Sequence, residues 1–358
     1  MRLLTHCFSC LFPLYAAGGG RMRSERKLDH IRHALNHSEG PVHYFDEVDI
    51  VHRSLAKLDW EQLDISVQLG ELNVSSPLFV NAMTGGGGEK TKEINRKLAE
   101  IAGEKNIAMA VGSQMAAIKD RDERKTYEVV REVNPDGVIF ANVGSEATWE
   151  DAEVAIEMLR ADALQIHLNT VQEVVMPEGD RDFSFRIENI RRVISESPVP
   201  VIVKEVGFGM SGETVKELQA LGCRYVDVGG KGGTNFSKVE NERRDNSMDS
   251  FHSWGIPTPV SILHSLEAEH IIASGGIRSG VDGAKALVLG AKAFGMAGPI
   301  LKTLMEDGES ALRGKIDLIH HELKSVMMIL GCEKVEQLKG KPYILHGETK
   351  NWISQKGV

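Results

Sequence analysis

Residues 163–173, Ala-Leu-Gln-Ile-His-Leu-Asn-Thr-Val-Gln-Glu, decide how this chain is to be read. The stretch opens as a buried strand over Ala163–His167 and runs straight into Asn169, Gln172 and Glu173. An imidazole, two amides and a carboxylate in so short a span exceed what a solubilising loop needs. Their meaning depends on where the strand ends point.

The same unit recurs along the chain. Short apolar runs stand at Leu78–Met83, Ile107–Val111, Val138–Ala141, Ala163–His167, Val199–Lys204, Tyr225–Val228, Ile271–Ser274 and Ala293–Met296. Segments of helical periodicity separate most of them, such as TKEINRKLAEIAGE, WEDAEVAIEMLRA, GETVKELQALG and VDGAKALVLGA. Gly103, Gly222 and Gly290 stand where such helices would end. Strands alternating with helices imply a parallel sheet. Eight of them fit a (β/α)8 TIM barrel better than an open doubly wound sheet, which needs a switch point and usually fewer strands. An N-terminal extension precedes the first strand, and GKIDLIHHELKSVMMILG reads as an amphipathic outer helix. The connection from Tyr225–Val228 to Pro257 is too long for an ordinary βα loop and predicts a lid or binding element.

In such a barrel the active site lies at the C-terminal strand ends. Reading them in order gives Met83-Thr84-Gly85, Gly112-Ser113-Gln114, Asn142, then His167, Asn169, Gln172 and Glu173. Lys204-Glu205, Gly229–Asn235, Ser274–Arg278 and Ala297-Gly298 follow. Small and polar groups at all eight ends predict a ligand spread across the whole mouth. The glycines of SGGIRSG and MAGP, each before a helix, predict an anion site built from backbone N–H groups after strands 7 and 8.

Composition narrows the function classes. Lysines and arginines number 42 against 51 aspartates and glutamates, a net charge of −9, which speaks against a nucleic-acid or anionic-membrane surface. Cys7 and Cys10 form half of a zinc pattern, and Cys223 and Cys332 stand alone, so a reduced, cytoplasmic setting is expected. The first 21 residues differ in character from the rest. They are too short and too interrupted to span a bilayer, and we expect a non-native start or a disordered leader, with translation from Met22.

Several motifs together carry a family resemblance: SERKLDHI, MTGGGGEKTKEIN, VGSQ, FANVGSEAT, QIHLNTVQEVVMPEGDRDF, VPVIVKEVGFGMS, VDVGGKGGTNFSKVEN and ASGGIRSG. From about Ser24 to GETKNW the chain resembles the FMN-dependent type 2 isopentenyl-diphosphate isomerases. HLNxxQE and GGxGGTNF are specific to that family rather than to FMN barrels at large. The resemblance implies that 22–76 packs on and caps an FMN-binding barrel over 77–358. It implies FMN held by Met83, Thr84, Gly85, Ser113, Asn142, Lys204 and Thr234, with its phosphate at Gly275, Gly276, Ile277, Arg278, Ala297 and Gly298. Glu173 would hold Mg2+, and Arg26, Lys27, His30, Ser113, Gln114 and Gln172 would bind the substrate diphosphate and its neighbourhood. His167, Asn169 and Gln172 would form the catalytic floor, with Gln172 positioning rather than transferring protons.

The implied reaction is the redox-neutral interconversion of isopentenyl and dimethylallyl diphosphate, with reduced FMN as acid and base and NADPH serving only as its reductant. A homo-oligomer, tetramer or octamer, is implied as well. The principal rival is an FMN-dependent oxidoreductase of a small hydroxy acid. It wants a histidine base and an arginine clamp by the strand 6 and 7 loops, where only Arg278 is available. A non-catalytic flavin carrier and a Lys204 Schiff-base aldolase are more distant alternatives.

Overall fold

The computed structural model describes residues 42–55 and 57–355. Eight strands close into a barrel: β1 (Leu78–Val80), β2 (Ala108–Ala110), β3 (Ile139–Gly144), β4 (Ala163–Leu168), β5 (Val201–Glu205), β6 (Tyr225–Asp227), β7 (His270–Ser274) and β8 (Ala293–Met296). Every neighbouring pair is parallel, and β8 returns to β1 with Phe294 opposite Leu78 and Met296 opposite Val80. The strands are buried along nearly their full length because helices cover them outside and side chains fill them inside. All eight expected runs are strands. Four are shorter than the runs, since residues such as Ala82 and Met83 leave the ladder to form the mouth.

The expected helices form with shifted ends. Gly88–Glu104 passes through Gly103, which therefore does not end it, and Asn106 (φ 51°) takes the left-handed position beyond the terminus. Gly103 instead permits close packing, because a Cβ there would lie 2.9 Å from the Asn134 side chain. Gly222 (φ 92°) and Gly290 (φ 126°) do follow helices, as read. The outer helix spans Glu309–Leu330 and buries Leu312, Ile316, Ile319, Leu323, Met327 and Leu330. Those spacings of three and four residues place one apolar stripe against the barrel.

Two additions tie the extension down. Val48–Ile50 pairs antiparallel with Tyr343–Leu345, and the Glu47 carboxylate accepts from Glu348 N (3.0 Å) and Thr349 N (2.7 Å), capping the helix Gly347–Ser354. A hairpin of Val67–Leu69 and Leu72–Val74 turns at Gly70. That turn lies against Tyr225 and His270 at the start of β6 and β7, away from the mouth. The long connection after β6 carries a helix, Phe236–Asn241, and a single turn, Asp249–Phe251. Through Thr234 and Phe236 it reaches the mouth of the barrel.

Candidate active site

A cavity of about 580 Å³ opens at the C-terminal strand ends. All thirteen residues expected to hold the cofactor line it: Met83, Thr84, Gly85, Ser113, Asn142, Lys204, Thr234, Gly275, Gly276, Ile277, Arg278, Ala297 and Gly298. This volume suits a single cofactor-sized ligand.

One wall is backbone. Gly275 (φ 95°) and Gly276 (φ 73°) lie against Gly230 and Gly232 of the β6 loop. A Cβ on Gly275 would sit 2.0 Å from Gly230 O, and one on Gly233 would sit 2.9 Å from Gly276 N. The cradle therefore exists only because these positions carry no side chain. The two helices behind it differ. Gly280–Leu289 is closed at its N-terminus, where Ser279 caps Asp282 N and Glu322 accepts from Gly280 N (2.6 Å). Gly298–Glu306 starts at Gly298-Pro299 without a side-chain cap, and both residues line the cavity. Of the two helix dipoles expected to face an anion, the second is the open one. The Arg278 guanidinium is taken by Asp46 and Asp282, so what Arg278 offers the cavity is not a free charge.

The opposite side is polar. His167 faces Lys204 in the β4–β5 register, and its Nδ1 lies 2.9 Å from Asn142 Oδ1. Burial, reinforced by Lys204, lowers its pKa to about 3, so the ring is neutral at physiological pH. Lys204 Nζ donates to Glu205 O (2.8 Å). Glu205, unassigned in the sequence reading, is buried and its carboxyl is pushed up to about 7 by desolvation, although Gly207, Phe208 and Gly209 N–H groups all donate to it. His43 and Phe236 are two further cavity residues that the strand ends did not reveal. One arrives from the extension, the other from the long connection.

Gln172 reaches the cavity from the short helix Thr170–Val175. Its Nε2 donates to Glu240 Oε1 (2.8 Å), and Glu240, fully buried, also accepts from Arg243 (2.8 Å). The amide's oxygen is thereby left for a ligand. Asn169 and Glu173 lie behind this wall: Asn169 Nδ2 donates to Glu173 Oε1 (2.8 Å), Asp180 N donates to Glu173 Oε2 (2.7 Å), and Arg186 donates to Asn169 Oδ1 (3.2 Å). Desolvation raises the Glu173 pKa. A cation beside this carboxylate would offset that cost, and one carboxylate plus substrate phosphate oxygens and water is a ligand set Mg2+ accepts. No cluster of three His, Cys, Asp or Glu ligands exists among the described residues.

Gln114 is not at the surface of the cavity. It is fully buried, donating from Nε2 to Ala155 O (3.0 Å) and accepting at Oε1 from Asn142 N (2.9 Å). It steadies the backbone of a lining residue, and a direct substrate contact is not what these bonds describe. Arg26, Lys27 and His30 lie outside the described residues, as does Met22.

Known proteins resemble this chain in sequence and in fold. The sequence profile of the FMN-dependent dehydrogenase family matches residues 96–345. Isopentenyl-diphosphate delta-isomerase of Geobacillus sp. (strain WCH70) is 49% identical over 338 residues, which cover 94% of this chain and 97% of that one. The enzyme of the same name from Bacillus thuringiensis (strain Al Hakam) is 50% identical over 340 residues, with the same coverage. The chain belongs to the isopentenyl-diphosphate delta-isomerase family. Structures of mandelate oxidase superpose with a TM-score of 0.64 at 16% identity over 90% of this chain and 98% of that one. That likeness shows the barrel fold alone. The isomerase family thus sits on a flavin barrel, and FMN is the cofactor its cradle and cavity fit. Cys223 and Cys332 are buried and unpaired, and no helix among the described residues is long and apolar enough to cross a membrane.

Proposed function

We propose that this chain interconverts isopentenyl diphosphate and dimethylallyl diphosphate, as its relatives' shared name supports, using FMN and Mg2+. A proton is added at the terminal methylene carbon and another leaves from the carbon two positions away. No electrons are gained or lost, and NADPH serves only to keep the flavin reduced. Reduced FMN, when bound, supplies the acid and base strength that an unactivated alkene requires.

The observation that carries this reading is the division of one cavity into a side-chain-free anion cradle and a polar wall of neutral His167, Asn142 and Gln172. The cradle of Gly275, Gly276 and Gly298 would hold the FMN phosphate, while Thr84, Asn142, Lys204 and Thr234 would contact the ring system. Neutral His167 and the Glu240-anchored Gln172 orient the substrate and exclude water. Glu173, joined to Asn169, would share Mg2+ with the diphosphate, and Arg26, Lys27, His30 and Ser113 would complete the anion's surroundings. A hydroxy-acid oxidoreductase is less well served, since its arginine clamp would have to be Arg278, already paired twice. We further propose a cytoplasmic homo-oligomer.

The test is anaerobic incubation with isopentenyl diphosphate, FMN and Mg2+, with and without NADPH. Dimethylallyl diphosphate formed through many turnovers per NADPH is expected. NADPH consumed one for one, or no product, would refute the proposal.

A further inference from the structure

At the cavity floor and just beneath it, polar side chains from β3, β4, β6 and the end of β1 join in one row. Asn81 Nδ2 donates to Asp227 Oδ2 (3.0 Å), Gln165 Nε2 to Asn81 Oδ1 (3.3 Å), and Asn142 Nδ2 to Gln165 Oε1 (3.2 Å). Asn142 Oδ1 then meets His167 Nδ1 at 2.9 Å. The four residues leading to His167 are all buried, Gln165 and Asp227 completely. Burial makes each of these bonds costly to leave unmade.

A primary amide has one donating and one accepting end, so fixing one link fixes the next. Two main-chain donors do the fixing. Ala82 N donates to Asn81 Oδ1 (2.8 Å), which turns the Asn81 NH2 toward Asp227. Gly229 N (3.2 Å) and the Ser274 hydroxyl (2.6 Å) donate to the other Asp227 oxygen. Asp227 therefore receives from every side, and the polarity passes through Gln165 and Asn142 until an oxygen faces His167. An imidazole nitrogen that meets an oxygen must carry the proton.

We infer that Asp227 is a positioning residue that, through Asn81, Gln165 and Asn142, holds His167 as the Nδ1–H tautomer and leaves Nε2 the unprotonated ring nitrogen available to a ligand donor group in the cavity. The ring is neutral, so the tautomer is the whole of what it presents. The inference rests on the flavin-site reading only for which ligand group meets Nε2; the wiring itself is a property of the chain.

Ring-nitrogen NMR of the 13C,15N-histidine-labelled holoenzyme tests it, with the His167 signals identified by their loss in His167→Gln. The wild type should show a protonated Nδ1 and a bare Nε2. Asp227→Asn keeps an oxygen for Gly229 N and turns an NH2 toward Asn81; Asn81 then flips and gives up the bond from Ala82 N, so the row reverses and the proton moves to Nε2. Adding Gln165→Glu to that variant gives both Asn81 and Asn142 an acceptor between them, so the Nδ1–H form returns. A merely structural role would not produce that return. If Asp227→Asn does not fold, Gln165→Glu should keep Nδ1–H while Gln165→Leu yields a mixture of tautomers. A wild-type Nε2–H ring, an unmoved proton in Asp227→Asn, no return in the double variant, or identical Gln165 variants would each overturn the inference. Flavin content, measured in parallel, reports separately on the cofactor reading.

Discussion

The glycine cradle yields the sharpest test, Gly275→Ala. The added Cβ would lie 2.0 Å from Gly230 O and 3.0 Å from Gly230 N, both backbone atoms with no flexible end to yield. Gly230 N donates to Ser274 O (2.9 Å), so the β6 and β7 loops are stitched together at the clash. Relief requires parting them by more than an ångström. That forfeits the hydrogen bond, about 1 kcal/mol, and adds overpacking of about 1–3 kcal/mol. Holding Ala at φ 95° adds strain of about 1–3 kcal/mol. The combined 3 kcal/mol or more falls on a loop that FMN must find preformed, so its Kd should rise roughly hundredfold or more. Flavin-fluorescence titration of the reconstituted protein reads this directly, while the distant barrel core keeps the melting temperature of the flavin-free protein within a few degrees. An FMN Kd within threefold of wild type would refute the reasoning. So would global unfolding, because the damage would not be local to the cradle.

Gly314 offers the opposite outcome: it sits inside Glu309–Leu330 with open space around its Cβ position. Gly314→Ala should raise stability by about 0.5–1 kcal/mol in urea melts, because alanine costs less backbone entropy in a helix. Arg131 is buried, and its guanidinium donates to the carbonyls of Leu159, Asn134, Pro135, Gly137 and Arg160 and to Asp162. Arg131→Met leaves those acceptors unmet and should cost about 3–5 kcal/mol in the same melts. Glu205 sets a pH dependence. Its folded pKa of about 7 exceeds the ordinary carboxyl value of 4.5, so between those two pH values the folded state holds more protons than the unfolded one. Stability then falls as pH rises through that window, by on the order of 3 kcal/mol in total. Glu205→Gln should flatten that part of the curve of melting temperature against pH, and an unchanged slope would show the carboxyl to be ionised throughout.

The barrel could be read from the sequence because strand burial is imposed twice, by helices outside and packed side chains inside. That leaves continuous apolar runs punctuated by glycine. The cavity lining was equally legible, since every strand end must open on the mouth: Met83, Ser113, Lys204, Thr234 and Gly275 line it, where the topology sends them. The residues that escaped lie where no local signal points. Gln165 and Asp227 sit inside runs that look apolar, and only the barrel's closure makes them meet Asn81 and Asn142. Their one trace in the sequence is a polar residue at an inward position, two before His167 or two before Gly229. His43 reaches the mouth from the extension and Phe236 from the long connection, which period and spacing cannot aim. The family resemblance set Gln114 beside the substrate, whereas the folded chain buries it against Asn142 N and Ala155 O. Sequence by itself determined the architecture and the kind of chemistry at each strand end, because periodicity and glycine placement are local properties. Tertiary structure alone decided which polar groups face the ligand and which face one another, because hydrogen-bond direction in a buried network depends on partners far apart in the chain.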